Sequence, residues 1–153
     1  MLQTGEPAPD FTLTDPAGRS VSLADLAGKD VILYFYPKDF TPGCTDEACS
    51  FRDHESDLAK AHAVVLGVST DPVEKHEQFQ EKYHLNFPLL SDQTADVAKM
   101  YGVWKEKNLY GRRTWGIART TYLIGADGQI KKIYKKVDTK RHAEQILEDL
   151  KKK

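Results

Sequence analysis

Two cysteines, Cys44 and Cys49, are the groups in this chain best suited to covalent chemistry. Cys44 closes the stretch Tyr36-Pro37-Lys38-Asp39-Phe40-Thr41-Pro42-Gly43-Cys44. The apolar run Val31-Ile32-Leu33-Tyr34-Phe35 before it reads as a buried strand. Glu47-Ala48-Cys49-Ser50-Phe51-Arg52 after it reads as helix. Cys44 therefore falls where a strand gives way to a helix. Unpaired N–H groups and the macrodipole of a first helical turn stabilise an anion. The thiolate is the nucleophilic form of cysteine. The chemistry expected of this stretch is thiol redox chemistry.

Spacing sharpens that expectation. Thr41 suits the N-cap, Pro42 the first helical position and Cys44 the third. A capping Thr41 hydroxyl would share one turn with the Cys44 sulfur. On a helical wheel Cys44, Ala48, Phe51 and Leu58 form one mainly apolar stripe. Cys49 lies ~140° away, with Thr45, Arg52, Asp53 and Ser56, so partial exposure is expected for it. Residues five apart rise ~7.5 Å along a helix. A disulfide needs Cα atoms within about 7 Å. The two thiols are thus expected to bond only after the helix begins to unwind.

Other chemistries fit less well. A buried cysteine is often a small hydrophobe. Tetrahedral zinc wants about four Cys or His ligands, and only His54 lies near in sequence. No metal site is expected. His54, His62, His76, His84 and His142 show no ligand spacing and read as surface or core-edge residues. Tyr101, Trp104, Tyr110 and Trp115 read as loop packing that also walls a pocket.

The elements around the cysteines follow from periodicity and turn chemistry. Segments 10–14 and 19–23 flank Asp15-Pro16-Ala17-Gly18 and form an N-terminal β-hairpin. Strands are expected over 30–35, 63–69, 87–90, 120–124 and 130–137. Helices are expected from 42 to about 60, from 71 to about 83 with Asp71 as N-cap, over 91–101, and over 141–152. Segment 103–116 reads as a long loop. Strands alternating with helices, then a hairpin and a last helix, predict an α/β fold with a mixed central sheet flanked by helices. That order is the thioredoxin-like arrangement.

A length of 153 residues fits one domain, 1–153. Net charge is -1, so nucleic acid is not an expected partner. The locally basic tail (Lys131, Lys132, Lys135, Lys136, Lys140, Arg141 and Lys151 to Lys153) is broken by Asp138, Glu144, Glu148 and Asp149 and reads as a solvated face. The first residues lack a basic n-region and an apolar h-region, so no signal peptide is expected. No apolar run approaches the ~18 residues of a membrane span. A cytoplasmic protein is expected, and a Cys pair there is more often catalytic or metal-binding than structural.

At this point the residues resemble a family. Pro37-x-x-x-Thr41-x-x-Cys44 is similar to the active-site signature of the peroxiredoxins. The longer string from Phe35 to Cys49 resembles their Q-type branch, the bacterioferritin comigratory proteins. The likeness extends through Pro7-x-Pro9-Asp10-Phe11, Gly67-Val68-Ser69-Thr70-Asp71, Leu89-Leu90-Ser91-Asp92, Tyr101-Gly102-Val103-Trp104 and Arg119-Thr120-Thr121-Tyr122. It implies a thioredoxin-like fold and a thiol-dependent peroxidase acting on hydrogen peroxide or organic hydroperoxides. It implies Cys44 as the peroxidatic cysteine, Cys49 as the resolving cysteine in an intramolecular disulfide, and thioredoxin as reductant. It implies Thr41, Arg119 and Pro37 as the rest of the site, no cofactor, and a monomer.

The chemistry supports those roles. A peroxide must be held in line with the sulfur, and charge moving to the leaving oxygen must be stabilised. Thr41 offers a hydroxyl, Arg119 a permanent cation, and Pro37 a shield without an N–H. Glu47 is a candidate to orient Arg119, for which Arg52, Arg112 and Arg113 are rivals. Two other readings are a thiol–disulfide oxidoreductase, disfavoured because Cys-x-x-Cys is absent, and a redox-sensing or chaperone-like module.

Overall fold

The computed structural model describes residues 2–151. The chain runs β1 (Thr12–Thr14), β2 (Ser20–Ser22), a 3₁₀ turn (Leu23–Leu26), β3 (Asp30–Phe35), α1 (Pro42–Asp53), α2 (Glu55–Lys60), β4 (Ala63–Ser69), α3 (Val73–Tyr83) and β5 (Leu89–Ser91). It continues α4 (Asp96–Met100), β6 (Trp104–Leu109), β7 (Arg112–Ile117), β8 (Thr120–Ile124), β9 (Ile130–Tyr134) and α5 (His142–Lys151). One sheet has the order β2-β1-β5-β4-β3-β8-β9. The pairs β3/β4 and β4/β5 are parallel, whereas β3/β8 and β8/β9 are antiparallel. The sheet is therefore mixed, as expected.

Strand β3 shows how the sequence builds two cores. Side chains alternate across a strand. Ile32, Tyr34 and Tyr36 face a cluster with Cys44, Ala48 and Phe51 of α1, Leu58 of α2, Phe79 of α3, and Ile146 and Leu150 of α5. Val31, Leu33 and Phe35 face a second cluster with Val97, Ala98, Tyr101, Ile117 and Tyr122. The reactive helix thus rests on one face of the central strand.

Several boundaries differ from expectation. The helix expected from 42 to about 60 is divided at His54, whose φ of -111° and ψ of 9° leave helical geometry. Helix α3 starts one residue late: Pro72 is its N-cap, and Asp71 is buried and bonded elsewhere. Helix α4 is shorter than 91–101 because Ala95 is left-handed (φ 62°). The Asp92 carboxylate instead accepts the N–H groups of Val97 and Ala98. Strand β9 ends at Tyr134. The expected end of the last helix at Lys152 lies outside the described residues.

The main correction concerns 103–116, which is the hairpin β6–β7 and not a loop. Its turn is Tyr110-Gly111, both at positive φ (53° and 78°). That is the backbone of a tight hairpin turn, written without the Asn-Gly or Asp-Gly that signals one. Arg112 to Trp115 are exposed on both faces, so no apolar alternation marks the strand. The four aromatics form no single cluster: Tyr101 is buried, Trp104 is half-buried, Trp115 is 59% exposed and Tyr110 fully exposed.

Candidate active site

Cys44 sits in the first turn of α1 and is buried, on the apolar stripe that packs against β3. Cys49 is partly exposed on another side of the same helix. Both thiols are free. The wheel separated them as the structure does. Burial pushes the Cys49 thiol up; Arg52 opposes this, and Asp53 and Asp46 add to it. Burial thus disfavours the Cys49 thiolate in the folded helix.

Arg119, immediately before β8, reaches Cys44. Its Nη2 donates to Cys44 Sγ at 3.2 Å and its Nη1 to Glu47 Oε1 at 2.7 Å. Gly43 eases this approach. A Cβ there would meet Arg119 Nη2 at 3.2 Å, closer than ordinary contact. The rivals are placed elsewhere: Arg52 donates to the Tyr83 carbonyl and to Asp53, and Arg113 pairs with Glu106 on the outer hairpin. Arg112 is exposed on β7.

Glu47 is completely buried. Desolvation raises its pKa to about 7, although the Arg119 charge and hydrogen bond pull it down. Its Oε2 has no hydrogen-bond partner among the described residues. That oxygen lies 3.9 Å from His142 Nε2, which is 2.8 Å from Thr121 Oγ1. His142 is also fully buried, deeper than the surface or core-edge place expected of the histidines, and burial lowers its pKa to about 4. Ser50 Oγ accepts the Ala143 N–H, tying α1 to the start of α5. His142 and Thr121 thus stand behind Glu47, a link that no sequence spacing announces.

Thr41 is the N-cap of α1, but its side chain makes no capping bond. Its Oγ1 donates to the Lys38 carbonyl at 2.8 Å. The expected hydroxyl contact with the helix turn is therefore absent. The hydroxyl proton is engaged, and its oxygen remains an acceptor. The N–H groups of Gly43 and Cys44 are left uncapped by it. Pro37 is half-buried in the segment joining β3 to α1.

A further cation was not foreseen. Lys107 of β6 donates from Nζ to the Ile117 carbonyl at 2.6 Å. Burial lowers its pKa, the Arg119 charge lowers it further, and Cys44 opposes both.

The arrangement is a nucleophile at a helix N-terminus, a guanidinium on its sulfur and a buried carboxylate fixing that guanidinium. It can stabilise a thiolate and a negative charge developing beside it. Three of the expected groups, Cys44, Arg119 and Glu47, form one connected unit, with Thr41 three residues from the sulfur in sequence.

Residues 4–133 match the model of the AhpC/TSA family. Peroxiredoxin Bcp of Bacillus subtilis (strain 168) is 45% identical over 150 residues, 98% of this chain and 96% of that protein. Peroxiredoxin Bcp of Escherichia coli (strain K12) is 46% identical over the same length and coverage. A solved structure of Xanthomonas campestris bacterioferritin comigratory protein, described for its alkyl peroxide reduction activity, superposes with a TM-score of 0.90 at 37% identity. That superposition covers 98% of both chains.

Proposed function

Because the chain belongs to the AhpC/TSA family and is a thiol-dependent peroxidase of the peroxiredoxin Bcp type, we propose that Cys44 attacks the peroxide and Cys49 resolves the product. The observation that carries this reading is the Arg119 guanidinium bridging the Cys44 sulfur and Glu47. The Cys44 thiolate attacks the terminal oxygen of RO–OH. An S–O bond forms, the O–O bond breaks, and RO⁻ takes a proton to leave as ROH. Cys44 becomes a sulfenic acid.

Each neighbour has a task in that step. Arg119 faces the sulfur and the charge moving away from it. Glu47 keeps the guanidinium plane fixed. Thr41 Oγ1, its own proton given to Lys38, accepts the O–H of the incoming peroxide. Pro37 covers the site without presenting a donor.

Cys49, as thiolate, then attacks the Cys44 sulfenic sulfur and displaces hydroxide, giving a disulfide. Folded α1 holds the two Cα atoms too far apart for this bond. The first turns of α1 must therefore unwind between the steps. A thioredoxin-type dithiol regenerates both thiols by exchange, and thioredoxin itself is the reductant assigned here. The cycle as written uses no metal or organic cofactor. Hydrogen peroxide and organic hydroperoxides both satisfy it. The reacting groups all come from one chain, which supports a monomer as the working unit. A reducing, cytoplasmic setting belongs to the same reading, because the cycle needs a dithiol pool to return the disulfide to thiols.

The test is peroxide-dependent oxidation of NADPH through thioredoxin reductase and thioredoxin. Wild type should turn over and Cys44→Ser should be silent. Turnover surviving in Cys44→Ser would overturn the assignment.

A further inference from the structure

The segment that presents Pro37 and Thr41 is held by a buried cluster that the reaction itself does not use. Asp39 lies two residues after Pro37 and two before Thr41, and its side chain is fully buried. Asp39 Oδ1 accepts the Tyr36 hydroxyl at 2.5 Å. Asp39 Oδ2 is 2.6 Å from Nδ1 of His76, a fully buried residue on α3. The Asp39 N–H donates to Asp71 Oδ2 at 2.8 Å, which also accepts the Ser69 hydroxyl. One residue therefore ties the segment to the end of β3, the end of β4 and the inner face of α3.

The partners assign the protons. His76 Nε2 lies 3.1 Å from the Leu90 carbonyl, which can only accept, so Nε2 carries a hydrogen. The 2.6 Å contact between Nδ1 and Oδ2 then needs one more proton between them. The pair is neutral as a unit and holds one shared proton in a site without solvent. Breaking either partner would leave a buried polar group unsatisfied. Asp39, Asp71 and His76 offer donor atoms within 4.8 Å of one another. Protein hydrogens already bridge both Asp39–Asp71 and Asp39–His76, so the three side chains are clasped to one another directly.

The next ring, Phe40, packs on Phe79 of α3. Phe40 has a left-handed backbone, φ 68°, where few non-glycine residues sit. The N-cap Thr41 and the helix follow directly.

We propose that Asp39 and His76 are positioning residues: their buried, proton-sharing contact fixes the segment that aims Thr41 and Pro37 at Cys44, and it is the fixed point from which α1 unwinds for disulfide formation. This rests on the peroxidase reading above and extends it. In-line attack is sensitive to displacements of about 1 Å. A segment that pivots must also have an end that does not move.

Two measurements test the proposal. In a Cys49→Ser background, the single-turnover rate of Cys44 oxidation by peroxide is compared with its alkylation by iodoacetamide. Alkylation needs the thiolate but not the peroxide geometry. Asp39→Ala should slow oxidation by about 10- to 100-fold and change alkylation far less. Asp39→Asn should rescue. Its amide oxygen accepts from Tyr36, and its NH₂ donates to a neutral His76 that still bonds Leu90. A folded Asp39→Ala that oxidises at the parent rate overturns the proposal, as does an Asn variant as slow as Ala.

The second measurement needs no variant at residue 39. Amide exchange is followed in the reduced and disulfide forms of the wild type. The Tyr36 and Asp39 amides should stay protected in both forms, while 42–49 lose protection in the disulfide. An Asp39 amide that opens together with 42–49 overturns the fixed-point role even if peroxidase activity through Cys44 is intact.

Discussion

Arg119 Nη2 lies 3.2 Å from Cys44 Sγ, so the guanidinium touches the thiol it serves and does not act from a distance. Its other terminal nitrogen is taken by Glu47 at 2.7 Å. A planar fork can bond two groups in fixed directions, and a lysine ammonium cannot reproduce that. Arg119→Lys should therefore slow the peroxide step by about 10²-fold, as the loss of a preorganised donor does elsewhere. Stopped-flow oxidation of Cys44 measures it. A rate indistinguishable from wild type would remove Arg119 from the reaction.

Thr41 gives its hydroxyl proton to the Lys38 carbonyl, which leaves only acceptor capacity for substrate. Thr41→Ser should keep most of the peroxide step. Thr41→Val should lose about tenfold or more, the scale of one hydrogen bond to a charged or reacting group. Equal rates for Ser and Val would show that the hydroxyl does not meet the peroxide.

Cys49→Ser should accumulate one sulfenic acid per chain, detected by a dimedone adduct, and lose turnover with thioredoxin. In wild type the resolving step should accelerate as pH rises, because burial holds the Cys49 thiol above its ordinary range and only the thiolate attacks. A resolving rate flat across the alkaline range would mean that unwinding, not ionisation, is limiting. Full thioredoxin-linked turnover in Cys49→Ser would exclude Cys49 as the resolving residue.

Glu47 and His142 should oppose one another in the pH dependence of stability. The Glu47 pKa is raised from 4.5 to about 7, so its contribution is intact below 4.5 and is lost as pH rises through 7. The His142 pKa is lowered from 6.5 to about 4, so its contribution is intact above 6.5 and is lost as pH falls through 4. Each amounts to about 3 kcal/mol, and in wild type the two slopes largely cancel. Glu47→Gln should lose stability on acidification, and His142→Gln on the way up to neutrality. Urea midpoints from pH 4 to 8 check this. Three parallel curves would show that neither group titrates in this window.

The legible part of the molecule was local. The apolar run of β3, the Pro42 start of α1 and the wheel angle between Cys44 and Cys49 depend on residues near one another in sequence. The structure keeps all three. What sequence did not disclose depends on distant partners. His76 and His142 look like ordinary polar residues until Asp39 and Glu47 arrive from 37 and 95 positions away to meet them. Arg119 could be chosen among its rivals by resemblance only. In space it is singled out by its place just before β8, from which its fork reaches both Cys44 and Glu47. The hairpin β6–β7 escaped because its strand faces are polar on both sides and its turn is Tyr-Gly.

The break at His54 gives α1 an end of its own. The His54 N–H turns back to the Phe51 carbonyl, and α2 starts afresh from the His54 carbonyl through Leu58. The first turns of such a helix open with a local equilibrium of their own. That equilibrium is also a clock. A sulfenic acid held in a closed helix waits for Cys49, and a second peroxide arriving first would carry it to sulfinic acid, which thiols do not reverse. The stability of the first turns of α1 therefore sets the peroxide dose at which the enzyme burns out. A substitution that makes α1 more stable would make the protein harder to unfold and easier to destroy.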